Sequence, residues 1–272
     1  MSDFRIIKHC SSGRNSDLIL SDMTGFWSDC PIPRVNPEES AYEFFDDFTK
    51  FSVGDNTGIW TLDQTNGSAV LVSSEAATGK GGVVRIGTDG TADNDYATIK
   101  VTTADTGAAF RIEDGATTSK KLWFAARVYP YEVTDCSYYV GLFDQTTTEP
   151  GLDDTGAENL GAAQDGVYFR SLNGTPTELD FCCAKNGSET EVKGAAGTLA
   201  ATTWITVGFK YDGNSTVQAW INGVKVATVM STSLTNFPDD VGLTPLMFVK
   251  DGEATGEIKY LYCDWIKCVQ ER

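Results

Sequence analysis

The residues best placed to do chemistry are Glu178, Asp180 and Cys182, in the run Glu178-Leu179-Asp180-Phe181-Cys182. Side chains alternate across a strand, so these three share one face. Two carboxyl groups on one face are what glycoside hydrolysis requires: one protonates the leaving oxygen while the other attacks or activates water. A retaining mechanism sets them about 5–5.5 Å apart. Glu178 and Asp180 supply carboxyls, but Cys182 stands third, and a thiol is a poor acid for a leaving oxygen. Glu189 and Glu191 form a second pair beside the Asn186-Gly187 turn, where a solvated hairpin accounts for them. Other templates fail. The one histidine, His9, lies far from the body of the chain, which argues against a Ser-His-Asp arrangement there. There is no phosphate-binding glycine loop and no dinucleotide fingerprint. Seven cysteines, at 10, 30, 136, 182, 183, 263 and 268, include no Cys-x-x-Cys pair and read as buried thiols from a reducing site of folding. No zinc site is expected from one histidine and unclustered cysteines, and no cofactor or catalytic residue is assigned.

Binding chemistry has more candidates. The stretch from Thr146 to Asp165 shows no strand pattern and holds five carboxylates, among them Asp153 and Asp154. A loop this long in a compact domain is usually functional or flexible. It suits a lid, a partner contact or a calcium loop, although the EF-hand spacing is absent. Trp60, Trp123, Tyr138, Tyr139, Tyr168, Trp204 and Trp220 could stack under sugar rings, but aromatics in strands more often pack a core. Trp27, Trp123, Tyr138, Asp153, Asp154 and Trp220 are the candidate binding residues.

What must position these residues is a β framework. Between Thr203 and Val229, three alternating runs are separated by Asp212-Gly213-Asn214 and Asn222-Gly223. Ile205, Val207, Phe209 and Tyr211 fall on one face, and Trp204, Thr206, Gly208 and Lys210 on the other. The Asn-Gly pair suits a two-residue hairpin turn. The result is a three-stranded meander with one apolar face, which needs a second sheet to cover it. Strands are also expected over 42–51, 59–63, 69–73, 82–88, 96–102, 108–113, 120–131, 137–144, 166–172, 178–185, 190–193, 246–250 and 256–269. Apolar residues in both phases of 122–128 mark a central strand covered on both sides. Residues 1–41 differ. Pro31, Pro33 and Pro37 and only two apolar islands, Asp17–Leu20 and Met23–Trp27, make them an extended arm. That arm docks either on its own sandwich or on a neighbour. Residues 42–272 form the domain.

The Trp-led strand, the Tyr211-Asp212-Gly213 turn and Ile221-Asn222-Gly223 resemble the late strands of concanavalin A-like jelly rolls, of the laminin G and legume lectin kind. Phe45-Asp46-Asp47-Phe48 with Trp60 looks like the first strand of such domains, and Gly256–Lys267 like the closing strand that pairs with it. The resemblance covers roughly 42–269 and implies an all-β jelly-roll sandwich of two antiparallel sheets. Laminarinase-type glucanases of this fold carry Glu-x-Asp-x-Glu on one strand, as nucleophile, tuning residue and acid/base. Glu178 and Asp180 match that pattern, and Cys182 departs from it at the acid/base position. The order of motifs is also similar to jelly-roll structural proteins of tailed phages.

The formal net charge is −17 and the pI about 4.3, so a phosphate backbone is repelled and no nucleic-acid partner is expected. No apolar run approaches the ~20 residues of a membrane helix, so no membrane partner is expected either. No secretory signal is read in residues 1–12. The phage resemblance implies a non-enzymatic virion protein, folded in the host cytoplasm: a capsid decoration or cement subunit. Its partners would be the major capsid protein or other virion subunits, and it would form a homo-oligomer, with a trimer favoured at three-fold positions. A lectin-like module for a cell-surface glycan is the alternative, and a glycan hydrolase a third.

Overall fold

The computed structural model describes residues 24–31, 41–51, 59–72, 82–101, 110–113, 120–144, 146–147, 149, 164–252 and 256–272. Among the described residues, one helical turn, α1 (Thr24–Trp27), precedes fifteen strands. They are β1 (Ala41–Asp46), β2 (Trp60–Thr65), β3 (Gly67–Val72), β4 (Val83–Thr88), β5 (Tyr96–Val101), β6 (Leu122–Pro130), β7 (Cys136–Asp144) and β8 (Gly166–Ser171). Then come β9 (Glu178–Lys185), β10 (Ser188–Thr198), β11 (Ile205–Tyr211), β12 (Thr216–Ile221), β13 (Val224–Ser231), β14 (Leu243–Asp251) and β15 (Tyr260–Glu271).

The strands form two sheets in which every described pairing is antiparallel. One runs β13-β12-β11-β6-β15-β4-β3, with β1 also on β15; the other runs β10-β9-β8-β7-β14-β5-β2. The closing strand β15 is long enough to pair with β4 through its first half and β1 through its second. Trp60 fastens that corner: its indole N–H donates to Asp46 Oδ2 at 2.7 Å and its ring packs on Phe44 and Phe48.

Alternation decides what lies between the sheets. Leu122, Phe124 and Ala126 of β6, Val207, Phe209 and Tyr211 of β11, and Ile266 and Cys268 of β15 meet Val140 and Leu142 of β7, Phe169 of β8, Phe181 of β9 and Met247 of β14. The expected meander is present. Asn222 and Gly223 both take positive φ, 48° and 76°, which a two-residue antiparallel turn requires. Asp212 organises the other turn by accepting from the backbone N–H groups of Asn214, Ser215 and Thr216.

Two expected strands are corrected. Within 108–113 the described residues form no strand; Phe110 makes an isolated bridge to Leu243, exchanging two backbone hydrogen bonds with it. The short strand at 190–193 extends over Ser188–Thr198, because shifts in its register with β9 carry it past Gly194 and Ala195 without ending the pairing.

Candidate functional site

The outer face of the seven-stranded sheet carries the hydrolase-like run. Register places Asp180, Arg170, Tyr139, Phe248, Thr98 and Asp63 side by side across six strands. Cys182, Tyr168 and Gly141 stand in the next row. Tyr139, Phe143, Tyr168, Cys182, Ala184, Leu246 and Phe248 form a second buried cluster there. Tyr168 lies over Gly141, where any Cβ would come within 2.5 Å of the Tyr168 Cβ. Its ring stacks on Phe143 at 4.8 Å and tilts against Tyr139 at 5.6 Å. These rings are packed against one another and present no open face.

At one end of this floor sits Arg170, the one charged residue of β8. Its guanidinium is held by three carboxylates from two neighbouring strands: Asp180 of β9, with Nε–Oδ2 at 3.7 Å, and Glu189 and Glu191 of β10, with Nη1 meeting Glu189 Oε1 and Nη2–Oε2 of Glu191 at 3.6 Å. The side chains of Arg170, Asp180 and Glu189 are each 6–7% exposed, whereas Glu191 is 48% exposed. Tyr168 donates its hydroxyl to Glu189 Oε2, and the Ala195 N–H donates to Asp180 Oδ1 at 2.8 Å. Ala195 has a φ of 47°, so the irregular part of β10 turns its backbone N–H toward the cluster.

The electrostatics follow from burial. Burial raises the Glu189 carboxyl above its ordinary value, and Arg170 only partly offsets that. Burial works against the charge on Arg170, yet the surrounding groups, Glu189 among them, hold its pKa above the ordinary arginine value. The Cys182 thiol is pushed well above its ordinary range, again by burial, so it is no nucleophile at neutral pH. The chemical consequence concerns availability. Asp180 and Glu189 both spend their oxygens on Arg170, a backbone N–H and a tyrosine hydroxyl, and Glu178 is exposed at the start of β9. The oxygens of Asp180 and Glu189 thus already have partners within the cluster.

The described ends of the 146–165 stretch meet the same sheet. Asp144, at the end of β7, accepts from Thr146 N at 2.6 Å, Thr147 Oγ1 at 3.1 Å and Asp165 N at 2.9 Å, joining both ends of that stretch. Buried Lys100 of β5 donates to the Thr147 carbonyl at 2.7 Å, and buried Lys250 of β14 pairs with Glu149 at 3.0 Å. Asp153 and Asp154 lie outside the described residues. Among the described residues no group of three or more histidine, cysteine or acidic side chains could hold a metal ion, and no helix is long and apolar enough to cross a membrane.

The remaining candidates sit elsewhere. Tyr138 points between the sheets and donates to the Glu132 carbonyl at 2.9 Å. Trp27, Trp123 and Trp220 come together on the outer face of the eight-stranded sheet, around Phe26 and Ala125, with Trp265 and Cys30 beside them. There Trp123 is fully buried. All six described cysteines are free thiols, with Cys182 in the outer cluster and Cys183 between the sheets. The Arg170 cluster was missed from sequence as a unit. Its signal was one arginine on an apolar strand, a position that demands buried partners.

No family model matches the chain, and no curated protein sequence matches it significantly. Solved structures do. A protein of unknown function from Shewanella oneidensis MR-1 superposes with a TM-score of 0.55 at 16% identity, over 86% of this chain and 87% of that one. The β-glucanase of Bacillus licheniformis gives 0.51 at 14%, over 83% and 96%, and peanut lectin 0.51 at 14%, over 85% and 97%. The fold is a concanavalin A-like jelly-roll sandwich. At these identities the likeness is one of fold. The sequence expectation of two antiparallel sheets in that architecture is met, including the pairing of the first strand with the last.

Proposed function

We propose that this protein is not an enzyme and that it works through its outside, as a structural protein of a bacteriophage virion: a capsid decoration or cement subunit. The observation that carries this reading is the filling of the outer face of the seven-stranded sheet. Where Glu178, Asp180 and Cys182 would need an open floor and a free acid, there are packed rings and a carboxylate cluster clamped on Arg170. The phage context comes from the order of sequence motifs, and the acidity suits a surface exposed to solvent. A second reading, a glycan-binding module, draws on a ladder of rings on the other sheet. Trp204, Tyr129, Tyr262, Tyr260 and Tyr131 follow one another at 5.2–6.2 Å, and Tyr131 is exposed.

Three measurements test these readings. Incubation with β-glucans is expected to release no reducing sugar; release that Glu178→Gln or Asp180→Asn abolishes would make the protein a hydrolase. A glycan array is expected to be blank; a hit lost in Trp204→Ala would favour the second reading. Particle mass in solution is expected to exceed the single-chain 29.4 kDa. A monomer at every concentration would remove the assembly reading.

A further inference from the structure

The eight-stranded sheet ends on β13, which among the described residues pairs with β12 alone. Along a strand the backbone groups face its two sides in turn, and the pairing with β12 shows which residues face which way. Between the pairs Gln218–Val229 and Trp220–Lys225, the residues Val226 to Thr228 stand where β12 has only Ala219. Gln218 fills that gap: its Nε2 donates to the Val226 carbonyl at 2.6 Å and reaches the Thr228 carbonyl at 3.5 Å. Val226 and Thr228 thus turn their carbonyls toward β12. By alternation Lys225, Ala227 and Val229 turn their carbonyls and N–H groups away from it. The free side of β13 is a regular row of donors and acceptors, on which another strand can pair.

Edge strands are ordinarily blunted by charge, proline or irregularity. β10, which ends the other sheet, has two register shifts and carries Glu189, Glu191 and Lys193. β13 has no proline and one charged residue, Lys225, while Val224 is 69% and Val229 43% exposed. Charge decides what can meet this edge. The chain has 38 aspartates and glutamates in 272 residues, yet none between Asp212 and Asp239, the longest such gap in it. That gap contains β12, β13 and the turn between them. Each copy carries a net −17, so two copies repel wherever their carboxylates face one another, and they repel least along this hairpin. A basic partner would be drawn to the acidic surfaces instead. A second copy, as acidic as the first, finds here an edge without carboxylates.

We propose that β13 pairs antiparallel with β13 of a second copy, about a two-fold axis at Ala227, so that the eight-stranded sheets of two copies run on as one. The geometry is self-complementary. Ala227 faces its backbone groups outward and exchanges both hydrogen bonds with its equivalent, which is what a hydrogen-bonded antiparallel pair on a two-fold axis does. Lys225 then stands opposite the partner's Val229, so the two lysines do not face each other. The contact joins copies in pairs. This inference rests on the assembly reading and names a contact that makes it.

The experiment compares solution masses of three full-length chains across a concentration series. Wild type is expected to reach twice the single-chain 29.4 kDa. Ala227→Glu sets two carboxylates face to face on the axis, and Ala227→Lys sets two ammonium groups there. Ala227 is exposed, so both variants are expected to keep the strand circular dichroism of wild type. Each is expected to raise the concentration for half-assembly roughly fivefold or more, because like charges directly opposite destabilise a strand pair. Mixed in equal amounts, the two variants are expected to pair again, each carboxylate now facing an ammonium. Should either variant fail to fold, amide hydrogen exchange of wild type decides: the Lys225, Ala227 and Val229 amides are expected to slow on assembly. Folded variants that assemble like wild type, weakened variants that do not pair on mixing, or amides that exchange equally fast in both states overturn the edge pairing and leave the assembly reading standing. A wild type that stays monomeric to millimolar concentration overturns both.

Discussion

Replacing Arg170 with methionine keeps most of the side chain's volume and removes its charge. What remains is Asp180 and Glu189, with side chains 6% and 7% exposed and no cation between them. Breaking a buried ion pair by removing one partner costs about 3–5 kcal/mol. Two orphaned carboxylates point to the upper end, but each keeps one donor, the Ala195 N–H for Asp180 and the Tyr168 hydroxyl for Glu189, which points back down. At about 2–4 °C per kcal/mol for a chain of this size, the expected fall in Tm at pH 7 is roughly 6–20 °C. The loss must also depend on pH. Burial already raises the Glu189 carboxyl in the folded protein. A raised folded pKa means that folding takes up a proton, so the penalty grows as pH rises from the unfolded value to the folded one and is absent below both. Without Arg170 the folded pKa rises further. The difference between wild type and variant should therefore be full above the variant's Glu189 pKa and shrink as pH falls toward the ordinary 4.5. Urea unfolding followed by tryptophan fluorescence from pH 4 to 8 measures it. A variant as stable as wild type at pH 7, or a loss of equal size at pH 4 and pH 8, would refute the clamp as described.

Further outcomes follow from single contacts. Gly141→Ala should destabilise by about 1–3 kcal/mol or more, because its Cβ would meet Tyr168 Cβ and Val167 O at 2.5 Å; chemical denaturation reads this directly. Gly223→Ala, at a φ of 76°, should cost about 1 kcal/mol in the same assay by straining the β12–β13 turn. Asp212→Ala should cost about 1 kcal/mol at neutral pH. Although burial opposes it, hydrogen bonds from Thr216 and its neighbours depress the Asp212 carboxyl, so the difference from wild type should be present above the ordinary 3.8 and vanish as pH falls through the folded value. With Cys10 and the half-buried Cys30 replaced by serine, Ellman's reagent at pH 8 should find thiols only after unfolding. Burial pushes Cys136 and Cys183 up to about 12, and Cys182, Cys263 and Cys268 are buried as well; rapid labelling of the native protein would contradict this.

Much of the fold was readable from local pattern. Period-two alternation and Asn-Gly turns set out the β11–β12–β13 meander, and apolar residues in both phases of 122–128 marked β6 as a strand covered on both sides. Both are local properties, fixed by which way each Cβ points and which residues tolerate positive φ. Alternation also put Asp180 and Cys182 on one face. It did not say what that face would meet. That Arg170 stands opposite Asp180, with Glu189 and Glu191 within reach, depends on the registers of β8, β9 and β10 and on the irregular course of β10 past Ala195. Phe110 had the look of a strand residue, but with one bridge to Leu243 it found no ladder to join. Likewise the aromatic pair Phe26 and Trp27 announced that it had to be buried, while its seat was assembled from β6, β11, β12 and β15. β11 and β12 follow one another, but β6 and β15 are distant from them and from each other in sequence, and only the pairing order of the eight-stranded sheet brings the four together.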